Sequence, residues 1–561
     1  MTRRTSLGVI LACSCLLPVL AAAADEKADI QRVISLGRSD NRVMDHLDYL
    51  CNRFGPRLTG SDNLQNASEW ARDTFASFGL ENARLDEWGQ YAVGFNRGPW
   101  FGRVVEPSEK ALTFGTNAWS AGTRGVQRGR AIFSPTSDEE LAAVRDKLPG
   151  AWVLARRPGS NDRPSADFRK TLDNAFREAR IAGTVQSAIG MGNSDWILTF
   201  GSPPSSWDKL PTTPSINLIK KQYDEIAEMV ARGDQVVLEF DIRNYFKKGP
   251  VKLYNIIADL PGSEWPDEYV IVGGHIDSWD GATGAMDNGT GVAAVMEAAR
   301  LLTQAGAKPR RTIRFMLWSG EEQGLLGSRN YIKNNPDLMK KISAVLVDDG
   351  GTNYVSGIQA TETMVSDFEL ALAPLKDLDA NMPFKIQTVK GLPPSIGSDQ
   401  DSFLAAGVPG FYFQQAGRAN YNRIHHTQYD TFEGAIPEYQ RHSAMVIALT
   451  AYGIANLDHM VSRENLRARG GGFSFPAANR RMIGVELDEL KVMGVLDDSI
   501  ASKVGIKEGD EFVKLDGTKL ESREQLTSEI QKGEPKKTVT ILRDGKEIEL
   551  KLEWPATPAK K

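Results

Sequence analysis

Cysteine is scarce in this sequence: 3 in 561 residues, of which Cys13 and Cys15 fall in the apolar N-terminal stretch. Without that stretch Cys51 stands alone, so no intrachain disulfide can form and stability rests on buried cores. Histidine is also rare, 6 in all. No apolar run of 18 residues follows the N-terminus, which excludes a polytopic membrane protein. An excess of positive charge is missing too: 67 basic residues stand against 72 acidic ones, a net charge of −5. What remains, 41% hydrophobic and 25% charged residues, is the composition of globular domains. At ~150 residues per domain the length predicts three or four of them.

Arg3 and Arg4 precede an apolar stretch from Leu7 to Leu20, which runs into Ala21–Ala24 and then Asp25-Glu26-Lys27. A basic start, an apolar middle and a small-residue cleavage site read as a secretory signal peptide over residues 1–24. Export to a periplasm or out of the cell is expected, with no integral membrane span after cleavage. Cleavage takes away two arginines, leaving 65 basic against 72 acidic residues and a mature net charge of −7. That argues against nucleic acid as a partner.

From Asp29 to Glu87 the pattern predicts two helical stretches around a loop, Phe54–Ser61. Residues 25–103 are assigned to the first part of a catalytic domain and 104–246 to an insert of mixed type, with strand-like runs at Ala151–Leu154, Trp196–Phe200 and Val236–Phe240. Within 247–458 apolar strands (Tyr254–Leu260, Tyr269–Gly274, Thr312–Trp318, Ala344–Val347, Gly410–Phe413) alternate with helices (Gly291–Gln304, Gln323–Asn334, Ser366–Ala373, Asp401–Ala406, Glu438–Ile454). Such alternation predicts an α/β fold, a mostly parallel sheet flanked by helices. Residues 459–480, Arg- and Gly-rich from Arg463 onward, read as a linker, and 481–556 as a separate compact unit.

In sheets of this kind functional groups gather at the carboxyl ends of the strands. Here those ends carry His275 and Asp277, with Asp287 in the following loop; Glu321 and Glu322; Asp348 and Asp349; and, after the last strand, His425, His426 and Asp430. Three of the six histidines fall in this set, whereas His46, His442 and His459 sit in charged helical contexts and read as surface or satisfied residues. Any one acidic residue is more readily explained as solvated or helix-capping. The joint pattern is not. Nitrogen and carboxylate donors without thiolate suit catalytic zinc, with cobalt or manganese able to substitute. Two ions ~3.5–4 Å apart require one shared carboxylate, two further ligands each, and a base for the water between them. The candidates supply that number.

Gly273-Gly-His-Ile-Asp-Ser278, Gly284-Ala-Met-Asp-Asn-Gly289, Trp318-Ser-Gly-Glu-Glu-Gln-Gly324 and His425-His-Thr427 resemble the di-zinc exopeptidases of the aminopeptidase and carboxypeptidase Q type, over about 29–457. The Gly-Ala-Met-Asp run and the paired histidines are most similar to the carboxypeptidase Q branch. The resemblance implies two zinc ions per chain bridged by Asp287, one completed by His275 and Asp349, the other by Glu322 and His426. It makes Glu321 the general base, and His425 the donor to the oxyanion where many relatives place Tyr. Asp277 would orient His275 by accepting its other ring proton. Asp348 competes with Asp349 for its role. Asn288-Gly-Thr290 is a glycosylation sequon, discounted because it adjoins Asp287. By position, 104–246 resembles a protease-associated insert that caps the site.

Ile483-Gly484-Val485, with the pattern Ser499–Asp510 and the Asp544-Gly545 turn, resembles a bacterial-type PDZ domain over 481–556. Such domains add a peptide as an extra strand and hold its C-terminal carboxylate at this loop. The expected partners are thus short peptide substrates and a peptide C-terminus, with room for a homodimer. Two alternatives are an inactive PDZ-bearing peptide-binding protein and a mono-zinc glutaminyl cyclase-like enzyme on the same fold.

Overall fold

The computed structural model describes residues 26–156, 165–188, 195–393, 396–466, 481 and 483–554, the last range without 489, 496–498, 522 and 533. The segment expected to be a signal peptide (1–24) and most of the expected linker (459–480) lie outside the described residues.

Helices 26–39, Val43–Asp48 and Asp62–Ser77 open the first unit. Ser61 caps the third, its hydroxyl accepting from Leu64 N. The predicted helical character up to Glu87 gives way earlier, to the strand β1 (Glu81–Glu106). Its run of Trp, Tyr, Val and Phe fits a pleated, half-buried surface, and it pairs along nearly its whole length with a later strand.

The other strands are β2 (Lys110–Ala111), β3 (Phe114–Gly115), β4 (Gln127–Phe133), β5 (Trp152–Leu154), β6 (Gly183–Ser187), β7 (Ser215–Leu218), β8 (Val237–Leu260), β9 (Trp265–His275), β10 (Arg311–Trp318), β11 (Ile342–Val347) and β14 (Gly410–Tyr412), with β12 (Tyr354–Thr361), β13 (Lys385–Val389) and β15 (Gln414–Ala416) in a small second sheet. The main sheet runs β14-β11-β9-β10-β8-β4-β5-β6-β7-β3. Two parallel blocks, β14-β11-β9-β10 and β4-β5-β6-β7, lie on either side of the long antiparallel ribbon formed by β1 and β8. Trp196–Phe200, expected as a strand, forms only a single bridge between Leu198 and Thr427.

Strands β9, β10 and β11 are buried on both faces, which explains their unbroken apolar runs. Helix Thr290–Gln304 is buried all round, packed among the sheet, Val43–Asp48 and the helix Pro437–Ala455. Its Glu297 is held by Arg300 at 2.8 Å and by His46 at 3.2 Å, so no charge is left alone there. Of the histidines outside the motif set, His459 pairs with Asp367 on the surface, as expected. His442 differs: it is buried beside Tyr354, and desolvation pushes it down to about 4. Arg463, expected in the linker, instead donates to Met339 O and Ile342 O, both at 2.8 Å, and anchors this end of the unit.

The second unit is a six-stranded antiparallel sheet with helices Ile500–Val504 and Arg523–Gln531 around its own core of Val492, Phe512, Val539 and Ile541. Val485–Asp488 is the edge strand of its sheet, paired on one side by Lys491–Val495. Gly484, at φ 84°, precedes it closely, and a Cβ there would meet Ser499 Cβ at 2.2 Å.

Candidate active site

Chain order and sheet order differ where the site forms. After β9 the chain moves to β10 on one side, then crosses back to β11 on the other side of β9. Loops at the carboxyl ends of β9 and β11 therefore part in opposite directions, and a crevice opens between them. His275 is the last residue of β9 and stands level with Trp318 of β10. Asp348 and Asp349 follow β11 directly.

Asp287 lies at the centre of this crevice, and its two oxygens face different partners. Oδ1 is 3.2 Å from His275 Nε2, which also meets Asp349 Oδ1 at 3.1 Å. Oδ2 is 3.3 Å from His426 Nε2, which meets Glu322 Oε2 at 2.9 Å. His425 is farther from Oδ2, at 3.7 Å, and its ring stacks on His426 with centroids 3.7 Å apart. The structure thus brings His275, Asp287, Glu322, Asp349 and His426 together as two pairs around one carboxylate. Asp348 points away: its Oδ1 accepts from Gln415 Nε2 at 2.8 Å. Asn288 is fully buried, its Nδ2 donating to Asp348 O, which removes it as a glycan acceptor.

Glu321 and Glu322 sit in a turn, not in a helix. The expected start at Gln323 moves to Leu326 because Gly320, Gly324 and Leu325 all take positive φ. Asp277 braces this turn, its Oδ1 and Oδ2 accepting from Glu321 N at 3.3 Å and Glu322 N at 3.4 Å, while Thr59 Oγ1 donates to Oδ2 at 2.8 Å. Asp277 also adjoins the His275 ring: Nδ1 lies 3.0 Å from its backbone oxygen and 3.7 Å from its Oδ1, and its carboxylate helps to raise His275.

The electrostatics are those of crowded carboxylates out of water. Burial, then the neighbouring charge of Asp287, raises Glu322 well above the ordinary range. Burial also raises Glu321, with Asp349, Glu322 and Asp399 adding to it against the pull of His275. Burial lifts Asp348, Asp399 and Asp430 to about 7. His275 is driven upward by Asp349 and Glu321 although its burial works the other way. Such shifts mean that added positive charge stabilises the cluster. Asp287 Oδ2 and Glu322 Oε1 are buried without a hydrogen-bond partner, and the donor atoms of His275, Asp287 and Asp349 lie within 4.8 Å of one another. Imidazole and carboxylate lone pairs converging in this way fit divalent metal.

Three supporting residues escaped the sequence reading. Arg57 is fully buried and donates to four backbone oxygens: Nε to Ile276 at 2.7 Å, Nη1 to Gly55 and Thr283 at 3.2 and 2.9 Å, and Nη2 to Gly284 at 2.7 Å. It shapes the loop from β9 to Asp287. Gly284 must be glycine there, since φ is 65° and a Cβ would lie 2.3 Å from Ser278 Cβ. Arg57 sits in the Phe54–Ser61 loop, which the sequence marks only as a loop. Asp399, fully buried, faces the charges of His275, Asp277 and Asp349 from the start of helix Gln400–Ala405, where an acidic residue reads as a simple cap. Phe200 packs edge-on against His426. Asp430, noted as a candidate ligand, instead accepts from Met286 N at 2.6 Å and Asp287 N at 3.2 Å and so fixes the turn that presents Asp287.

Arg57→Ala is expected to destabilise the protein by at least about 3 kcal/mol, because several buried carbonyls lose their donor. Denaturant unfolding would measure it.

A mostly parallel α/β sheet with histidines and carboxylates around a strand-end crevice defines a metallohydrolase. Residues 255–451 match peptidase family M28, and residues 470–553 match the PDZ domain. Carboxypeptidase Q of Mus musculus is 28% identical over 430 residues, 76% of this chain and 88% of that protein. Carboxypeptidase Q of Rattus norvegicus is 29% identical over 432 residues, with the same coverage. A crystal structure of a peptidase M28 precursor from Shewanella amazonensis SB2B shares the fold, with a TM-score of 0.57 at 24% identity over 78% of this chain and 98% of that one. The chain is a metallo-exopeptidase, with one segment similar to peptidase family M28 and a later segment similar to the PDZ domain.

Proposed function

We propose that this chain is an exported two-zinc exopeptidase that hydrolyses dipeptides or short peptides. The observation that carries the reading is the division of Asp287: one oxygen faces His275 and Asp349, the other faces His426 and Glu322. His275 and Asp349 would hold one ion, His426 and Glu322 the other, and Asp287 both. When bound, zinc polarises the scissile carbonyl and lowers the pKa of water at the site.

The protein's own residues supply the rest. Glu321, braced by Asp277, takes the proton from the attacking water and passes it to the departing amine. In the metal-free site, burial holds its carboxyl above the ordinary range. His425 is kept neutral mainly by burial and partly exposed toward the crevice, so one ring N–H is available to the oxygen on which charge develops. The relatives named carboxypeptidase Q favour action near a free carboxylate, and in a dipeptide both termini lie beside the cut. Residues 104–246 would narrow access to short chains, with domain limits at 25–103, 247–458, 459–480 and 481–556. The PDZ domain would take a peptide C-terminus at Ile483-Gly484-Val485, beside the edge strand Val485–Asp488. Residues 1–24 would direct export.

Chelation tests the metal requirement. Dialysis against a chelator should abolish dipeptide hydrolysis, zinc should restore it, and the active protein should contain two ions per chain. Full activity with one ion would contradict the shared role of Asp287. Stability should respond as well, since an ion bound only by the folded state adds about 2.7 kcal/mol at a hundredfold excess over Kd. In the metal-free protein, Asp348, Asp399 and Asp430 have folded values of about 7, above the unfolded ones. Their contribution is complete below pH ~4 and lost as pH rises through about 7. His425, His426 and His442, held low by burial, oppose this, whereas Glu321, Glu322 and His275, all raised well above their ordinary values, act in the same direction as the three Asp. The thermal midpoint of metal-free protein should fall between pH 5 and 8, and that of loaded protein should not.

A further inference from the structure

His426 carries an unusual burden. It has a left-handed backbone, φ 59°, which costs a residue with a Cβ roughly 1–2 kcal/mol, yet its ring must meet Asp287 and Glu322 together. Such a conformation persists only where the surroundings impose it.

What imposes it comes from a distant part of the chain, residues 197–200 between β6 and β7. Thr199 N donates to His426 O at 2.9 Å, and Leu198 and Thr427 form a β-bridge. Ile197 N donates to Gln428 Oε1 at 2.8 Å. Thr199 is buried against Gly281, where a Cβ would come within 2.1 Å of Thr199 Oγ1. Beyond the bridge, Phe200 stands edge-on to the His426 ring at 5.4 Å and to Trp279 at 5.9 Å, and Trp279 meets the same imidazole at 5.9 Å. Backbone and ring of His426 are therefore both held by 197–200 and its contacts.

We infer that residues 197–200 form a strap that positions His426 for metal binding, which makes the insert part of the metal site as well as its cover. The inference rests on the two-ion reading above. Ile197, Thr199 and Gln428 act through His426, as positioning residues.

Zinc binding, measured by competition with a chromophoric chelator, tests it in the full-length protein. Thr199→Pro deletes the N–H bonded to His426 O, and Gln428→Ala removes the acceptor for Ile197 N. Thr199→Ala keeps both hydrogen bonds. Supports for metal ligands are worth 10–100-fold in affinity. Thr199→Pro and Gln428→Ala should weaken one of the two zinc-binding steps by about 10–100-fold and leave the other within about threefold, with Thr199→Ala near wild type in both. Circular dichroism would confirm folding, and Gln428→Ala decides the matter if Thr199→Pro does not fold. Two unchanged steps in folded variants overturn the strap, as does equal weakening of both. A wild type that binds only one ion refutes the two-ion reading instead. Hydrogen exchange then judges the strap: protection of the Thr199 amide that falls in Gln428→Ala supports it, and unchanged protection rejects it.

Discussion

Glu321→Gln is expected to lower kcat for a dipeptide by about 10²–10⁴-fold, the usual share of general acid–base catalysis, while zinc content stays at the wild-type level. The separation of effects follows from the turn. Glu322 faces His426 at 2.9 Å, whereas no histidine nitrogen lies within ion-pair distance of Glu321 among the described residues. The two adjacent carboxylates therefore divide the work, one holding metal and one moving protons. Asp277 fixes that division, since its carboxylate takes both amides of the pair. Glutamine keeps size and shape but cannot accept the proton from water. A drop in kcat with unchanged KM and metal content would support the assignment. A mutant that loses zinc would place Glu321 among the ligands.

Asp287→Ala should have the broader effect, on metal binding as well as on rate. It removes the carboxylate common to both pairs, so both zinc steps should weaken and hydrolysis should fall by at least about 10³-fold, beyond the 10–100-fold typical of supporting residues. Asp349→Ala should affect one step only, because its Oδ1 meets His275 and no other described histidine. Asp348→Asn provides the control. Its carboxylate is turned toward Gln415, and zinc content should stay near two per chain. Atomic absorption on the purified variants gives the counts directly.

Much of this site was legible because its chemistry is local to strand ends. His275, Glu321 and Asp349 each follow an apolar run that could only be a buried strand, and neighbouring parallel strands deliver such residues to one crevice. The choice of Asp349 over Asp348 was not legible from spacing: two adjacent residues leave a strand on opposite faces, and only the Gln415 contact reveals which face is the crevice. Glu321-Glu322 follows β10 as read, but the glycine-rich turn that carries it looked like the start of a helix. The bracing of Asp287 by Arg57 and Asp430 was hidden for a different reason. Arg57 bonds to carbonyl oxygens, which every residue has, so no pattern of side chains announces it. Strand β1 was misread because its half-buried pattern, rich in Gly and aromatics, takes its meaning from β8, some 150 residues later.

The most direct measurement is hydrolysis of one panel of free dipeptides, N-blocked dipeptides and dipeptide amides by the zinc-loaded mature protein. The account predicts rapid cleavage of free dipeptides, and slower or no cleavage once the terminus that the enzyme recognises is blocked. Two bound zinc ions with no cleavage of any member would contradict it, and would leave a metal-binding protein whose peptide recognition resides in the PDZ domain.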